Sequence, residues 1–101
     1  MTSVFEHIGQ TRYLLFQLFE SGFVSGRGIE DGLSVCEKSA AEMGLSHGAE
    51  LLRALAKELT ALRAGRGQIG GAALLFSNLV SYYDMVSAML MTENITVKSE
   101  S

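Results

Sequence analysis

Glycine punctuates this chain, and no proline interrupts what lies between. Most of the eleven glycines fall in three clusters, Gly22–Gly28, Gly44–Gly48 and Gly65–Gly71. Between the clusters apolar residues recur at intervals of three and four, the period of a helix with a buried face. Glycine stops a helix at little cost because it enters the left-handed region freely. The pattern predicts an all-α fold, a small four-helix bundle of two helical hairpins with Gly-rich connections. Connections this short make consecutive helices antiparallel.

Ser3 is placed as the N-cap of a first helix, with Glu6 three residues on as its capping-box partner. Val4, Ile8, Leu15 and Phe19, flanked by Phe5, Leu14, Phe16 and Leu18, form a wide apolar stripe that runs to about Ser21, where Gly22 ends it. Ile29, Leu33, Cys36, Ala40 and Met43 step along one face of a second helix, stopped by Gly44. Leu51, Leu52, Leu55, Leu59 and Leu62 define a third, with Arg63 suited to its negative C-terminal end. A fourth, from about Ala72 to Met91, has fifteen apolar positions in twenty and a single charge, Asp84. Its polar residues Ser77, Asn78, Ser81, Asp84 and Ser87 are expected on one strip, with the rest of the helix buried nearly all round. Residues 1–92 then make a single helical domain, and the polar 93–101 a disordered tail. Gly26-Arg27-Gly28 recurs as Gly65-Arg66-Gly67 thirty-nine positions later, an offset that also aligns Gly9 with Gly48, Tyr13 with Leu52 and Phe16 with Leu55. A duplicated hairpin would produce this, as would chance in a chain rich in leucine and glycine.

Hydrophobic residues make up 48% of the chain, which excludes intrinsic disorder. Eight basic against eleven acidic residues, a net charge of −3, argue against a dedicated nucleic-acid binder. The N-terminus lacks the pattern of a signal peptide, and the expected location is the cytoplasm. A twenty-residue apolar helix also has the length of a membrane span. Asp84 at its middle and five polar residues favour a watery face instead, so no membrane is expected.

The chemistry-bearing residues are few. Gly65-Arg66-Gly67-Gln68-Ile69-Gly70 is a literal GxGxxG, but it follows a helical pattern where a dinucleotide site needs a strand. It is read as a helix connection, leaving only anion binding by Arg66 and the first N–H groups of helix four as its chemical use. His7 and His47 have no Glu three residues earlier, as a di-iron bundle would require, and are expected to be solvated or capping. Cys36 cannot form an internal disulfide and reads as a small buried hydrophobe. Arg27 and Arg66 read as exposed loop charges. No catalytic residue, metal ligand or cofactor is assigned.

The strongest positive signal is the apolar excess of helices one and four. Phe16 and Phe19 on the first and Phe76, Tyr82, Tyr83, Asp84, Met85 and Met89 on the fourth are more than a small core should need, and Met, Tyr and Phe suit interface centres. The expected function is a non-catalytic protein-interaction or scaffold module that binds itself or a larger protein. The alternative is a helical regulator or small-ligand-binding domain with a pocket lined by Tyr82, Tyr83, Asp84 and Arg12. Asp84 is expected to be paired, with Ser81, Ser87, Arg12 or Arg53 as candidate partners.

The stretch AAEMGLSHGAELLRALAKELTALRAG (40–65), followed by AALLFSNLVSYYDM (72–85), resembles the helical region of bacterial SWIM zinc-finger proteins. Shared are a short Gly-Leu turn, a leucine-rich helix ending in basic residues and an apolar helix opening Ala-Ala-Leu-Leu, together about half the chain. The Cys-x-Cys and Cys-x-His elements of that family are absent. The resemblance therefore implies a helical interaction region without the finger, and nothing about metal or nucleic-acid binding is carried over from it.

Overall fold

The computed structural model of this chain describes residues 3–23 and 26–100, with the side chains of all of these but 27 and 92–100. The described residues form four α-helices and no strand: α1 (Val4–Glu20), α2 (Arg27–Glu42), α3 (Ser46–Arg63) and α4 (Ile69–Glu100). Ser3 caps α1 through its Oγ, which accepts the Glu6 N–H at 3.1 Å. The three glycine stops share one device. Gly22, Gly44 and Gly65 take φ values of 69°, 81° and 78°, and the next residue's N–H returns to the carbonyl of Leu18, Ala40 or Ala61. Phe23 is itself left-handed at φ 66°, and its ring packs edge-on against Phe76.

Each helix packs on its neighbours in sequence, and α4 closes the ring against α1. Side-chain pairs give the direction of every seam. Arg63 meets Glu30 and Arg53 meets Glu37 across α2 and α3, while His7 meets Tyr83 and Phe19 meets Phe76 across α1 and α4. In both seams residue numbers rise on one helix as they fall on the other, so the helices run antiparallel. Ile8, Leu15 and Leu18 of α1, Leu33 and Cys36 of α2, Leu52, Leu55 and Leu59 of α3 and Leu79 of α4 converge as the core. Each buried Leu or Ile contributes about 1.5–3 kcal/mol over its exposed state.

Helix α4 departs from the sequence expectation in two ways. It starts at Ile69 and its backbone continues to Glu100, through most of the 93–101 segment expected as a tail. No glycine or proline follows Gly71, so nothing local stops it. At about 48 Å it overruns the 16 to 18 residues of its neighbours. It is also not buried all round. Ala72, Leu79 and Tyr83, with half-buried Leu75, Phe76, Tyr82, Val86 and Leu90, make one inward stripe. Only 11% of its most apolar stretch is buried, and Leu74, Met85, Met89 and Met91 lie in the open. The reason is the ring topology: α4 touches α1 and α3 alone, and two neighbours cover one arc of a helix. Ser77, Asn78, Ser81 and Asp84 face outward, and Ser87 is half-buried.

The thirty-nine-residue offset does not mark equivalent positions in the bundle. Tyr13 and Phe16 are exposed where Leu52 and Leu55 are fully buried, and Gly9 stands in open space where Gly48 is wedged under two tyrosines.

Candidate functional site

The seam between α1 and α4 carries an exposed apolar surface. On α1 the buried residues are His7, Ile8, Thr11, Leu15 and Leu18. The helix therefore turns a second apolar flank outward, with Phe5, Phe16 and Phe19 exposed by 56%, 58% and 60%. Phe19 stacks on Phe76 at 5.8 Å, and Arg12, Leu15, Phe16, Phe19, Phe76 and Val80 line an open cleft of about 300 Å³.

Arg12 spans the end of this cleft to form an ion pair with Asp84. Of the four partners expected for Asp84 the structure selects Arg12, while Arg53 pairs with Glu37 at 3.0 Å. The setting differs from the expected one, since the Arg12 and Asp84 side chains are 47% and 63% exposed. Such a pair contributes little to stability. It places two opposite charges, with their free hydrogen-bonding capacity, at the rim of an apolar surface.

Tyr83 is corrected from interface to core. It is fully buried, and its hydroxyl shares a 2.7 Å hydrogen bond with Nε2 of His7, itself only 1% exposed. His7, expected to be solvated or capping, is thus a core residue, and burial lowers its pKa below the ordinary 6.5. Burial pushes the Tyr83 phenol up to about 12, against a smaller opposing pull from Thr11. The Thr11 hydroxyl lies beside the pair, buried and without a hydrogen bond of good geometry. Two neutral rings bonded in the buried interior specify how α1 meets α4.

The remaining candidates divide between two sides of α4. Met85 and Tyr82 line a second cleft of about 350 Å³ with His47, Leu51, Asn78 and Ser81, between α3 and α4. His47 is exposed, and its ring meets Tyr82 edge-on at 5.3 Å. Met89, one turn beyond Met85, is exposed as well. The ligand pocket expected from Tyr82, Tyr83, Asp84 and Arg12 does not assemble: Tyr82 borders one cleft, Arg12 another, and Tyr83 lies in the core between them. Cys36 is buried, as its place in the periodicity predicts. Among the described residues no three His, Cys, Asp or Glu converge to hold a metal.

The glycine loop is occupied from within. Glu58 Oε1 accepts the Gln68 N–H at 3.1 Å, so a carboxylate of α3 already stands at the positive end of α4. A Cβ on Gly67 would come within 2.9 Å of the Leu62 backbone nitrogen, so the turn requires glycine there for close packing. Arg66 lines a different cleft, beside Arg53, Lys57 and Thr60 between α2 and α3, and the Arg27 side chain lies outside the described residues. Nicotinamide and adenine nucleotides are therefore expected to leave the melting temperature unchanged. A ligand of the native state at a hundredfold excess over its Kd would add about 2.7 kcal/mol. A saturable rise in a thermal-shift titration would contradict this account of the loop.

The sequence pointed to Phe16, Phe19, Phe76 and Arg12, but Phe5 was only a flank of the stripe, His7 was expected to be solvated or capping, and Glu58 was missed. A signal for two of them was present: His7, Thr11 and Leu18 share one helical face, and Phe5, Arg12 and Phe19 recur at seven. Glu58 carries no local signal, because its partner lies ten residues on and past a turn. Compared with known proteins, this chain matches no family model, no curated protein and no solved structure.

Proposed function

We propose that this chain is a non-catalytic helical interaction module that self-associates through the outer flank of α1 and the adjoining edge of α4. One observation carries the reading: Phe5, Phe16 and Phe19, each more than half exposed, form a single flank beside an open apolar cleft. Three such rings in water are a standing cost that a partner's apolar surface removes, at about 25 cal/mol per Å² covered. The reading has the module working in the cytoplasm, where its one cysteine stays a thiol, and against protein. The net charge of −3 disfavours nucleic acid, and the outward Ser77, Asn78, Ser81 and Asp84 disfavour lipid.

Light scattering tests it. The expected molar mass is about twice the 10.9 kDa of one chain, and Phe16→Glu should return it to the single-chain value with the helical circular dichroism intact. A mass of 10.9 kDa at every concentration up to the millimolar range would remove the reading. A second reading, a small-ligand-binding domain, draws on the α3/α4 cleft, where His47, Asn78, Ser81 and the Tyr82 ring converge over Leu51 and Met85. A chain that is monomeric and stabilised by a small polar aromatic compound would favour it.

A further inference from the structure

The exposed flank of α1 has an internal order. Phe5, Gly9, Arg12, Phe16 and Phe19 follow one another at steps of four, three, four and three, which is the spacing of a packing seam along a helix. None of them is buried, so this seam lies beside the one that faces the core. Arg12 stands at its centre, with Phe5 and Phe19 each seven residues away. Gly9 and Phe16 stand three and four residues from it, on opposite sides. A second copy of this helix, turned end for end about Arg12, sets Phe5 against Phe19 and Phe16 against Gly9. A Cβ on Gly9 would meet nothing within 4 Å, so there is room above it for a ring. Five residues thus read as the two halves of a self-complementary surface.

The charges obey the same symmetry. Two Arg12 side chains meeting at a two-fold axis would repel, but each protomer also carries Asp84 at the same point. The two pairs then form a ring of alternating sign, in which either Arg12 can bond its own Asp84 or its partner's. A patch bearing one cation and one anion beside its axis matches a copy of itself and no surface of single sign.

We infer that the partner is a second copy of this chain, its α1 packed antiparallel on α1 about a two-fold axis at Arg12, with Arg12 and Asp84 paired across the interface. This rests on the self-association proposed above and gives it a geometry. Along the helix the contact from Phe5 to Phe19 is about 21 Å long. The cleft beside Phe16 and Phe19 then receives the partner's Phe5.

Charge exchange between two variants tests it. Arg12→Asp leaves two acids on each side of the seam, and Asp84→Arg leaves two arginines on each side. Each variant alone is expected to be monomeric by light scattering, and their equimolar mixture to be a heterodimer, because only then does every charge face its opposite. Gly9→Gln is the second arm. It lies on an exposed helical position with open space, so the fold accepts it, yet its side chain fills the room that Phe16 of the partner requires. The expected result is a monomer with a melting temperature at or above that of the parent monomer.

A dimeric parent whose Gly9→Gln variant remains dimeric overturns this geometry and leaves self-association standing. So does a mixture of the two charge variants that stays monomeric while the parent is dimeric. A monomeric parent removes both. Should either charge variant fail to fold, the Gly9→Gln result decides alone.

Discussion

Gly48→Leu is expected to destabilise the protein by about 3 kcal/mol, seen as a fall in the urea midpoint with little change in slope. Gly48 lies in the first turn of α3, where that helix meets α4. A Cβ placed there would stand 2.8 Å from Cε2 of Tyr82 and 3.2 Å from the Tyr83 hydroxyl. The Tyr82 ring is half-buried and can swing outward, but Tyr83 is held by its bond to His7. Leucine needs room for three further carbons and finds the buried side of Tyr83. Gly48→Ala should cost less, because roughly 1 kcal/mol of helix propensity offsets part of the clash. Gly9→Ala, at the aligned position of α1 with nothing nearby, should stabilise the fold of the single chain by about that propensity. Equal behaviour of the Gly9 and Gly48 variants would show that α3 and α4 are not closely apposed at this point.

The second large effect concerns the buried His7–Tyr83 pair, whose burial makes stability depend on pH at both ends of the range. His7 is neutral in the fold and its pKa lies below 6.5. The unfolded chain therefore binds a proton that the folded one refuses as pH falls below about 6.5, and stability declines from there downward. Tyr83 works in the opposite direction. With its phenol held at about 12 against 10 in the unfolded chain, the folded protein keeps a proton that the unfolded one loses. Stability falls as pH rises from 10 to 12, by about 3 kcal/mol in all. Between those limits neither group titrates and the contribution is complete.

Tyr83→Phe should remove the alkaline decline and cost about 1–3 kcal/mol at neutral pH, because it leaves the buried imidazole without its partner. His7→Phe should remove the contribution of that histidine to the acid decline. The double variant should be less destabilised than the sum of the two single ones, since no polar atom of the pair is then left unsatisfied. Urea titrations of the four proteins at pH 5, 7 and 10.5 would measure this. An alkaline decline that survives Tyr83→Phe unchanged would assign it to other groups and remove the buried phenol from the account.

Stability and the proposed association are thus assigned to different faces of one helix. The residues of α1 that hold the bundle together are His7, Ile8, Thr11, Leu15 and Leu18. Those proposed to meet a second chain are Phe5, Gly9, Arg12, Phe16 and Phe19. Substitutions in the second set should change association and leave the pH dependence of stability untouched. Substitutions at His7 or Tyr83 should do the reverse.

Much of the bundle was legible in the order of residues because its determinants are local. A glycine that must take positive φ ends a helix wherever it stands, so Gly22, Gly44 and Gly65 marked three boundaries without reference to the rest of the chain. The face of α2 was legible for a similar reason: Leu33, Cys36 and Ala40 are its only regular apolar row, so the buried side had no competitor. Ser3 as a cap followed from one side chain and an amide three residues away. On α1 and α4 the same reasoning failed. Their apolar arcs are wide enough to hold two seams, and periodicity does not say which of the two turns inward. That choice depends on partners far along the chain. Tyr83, seventy-six residues from His7, drew the histidine into the core and left Phe5 and Phe16 in water. Asp84 found Arg12 across the same seam, and Glu58 filled the glycine loop from the preceding helix. The sequence by itself determined four helices, the glycine stops of the first three and the apolar face of α2, because each is set within a few residues. Only the tertiary structure decided which rings became core and which became surface, because burial belongs to the packing of several helices and to none of them alone.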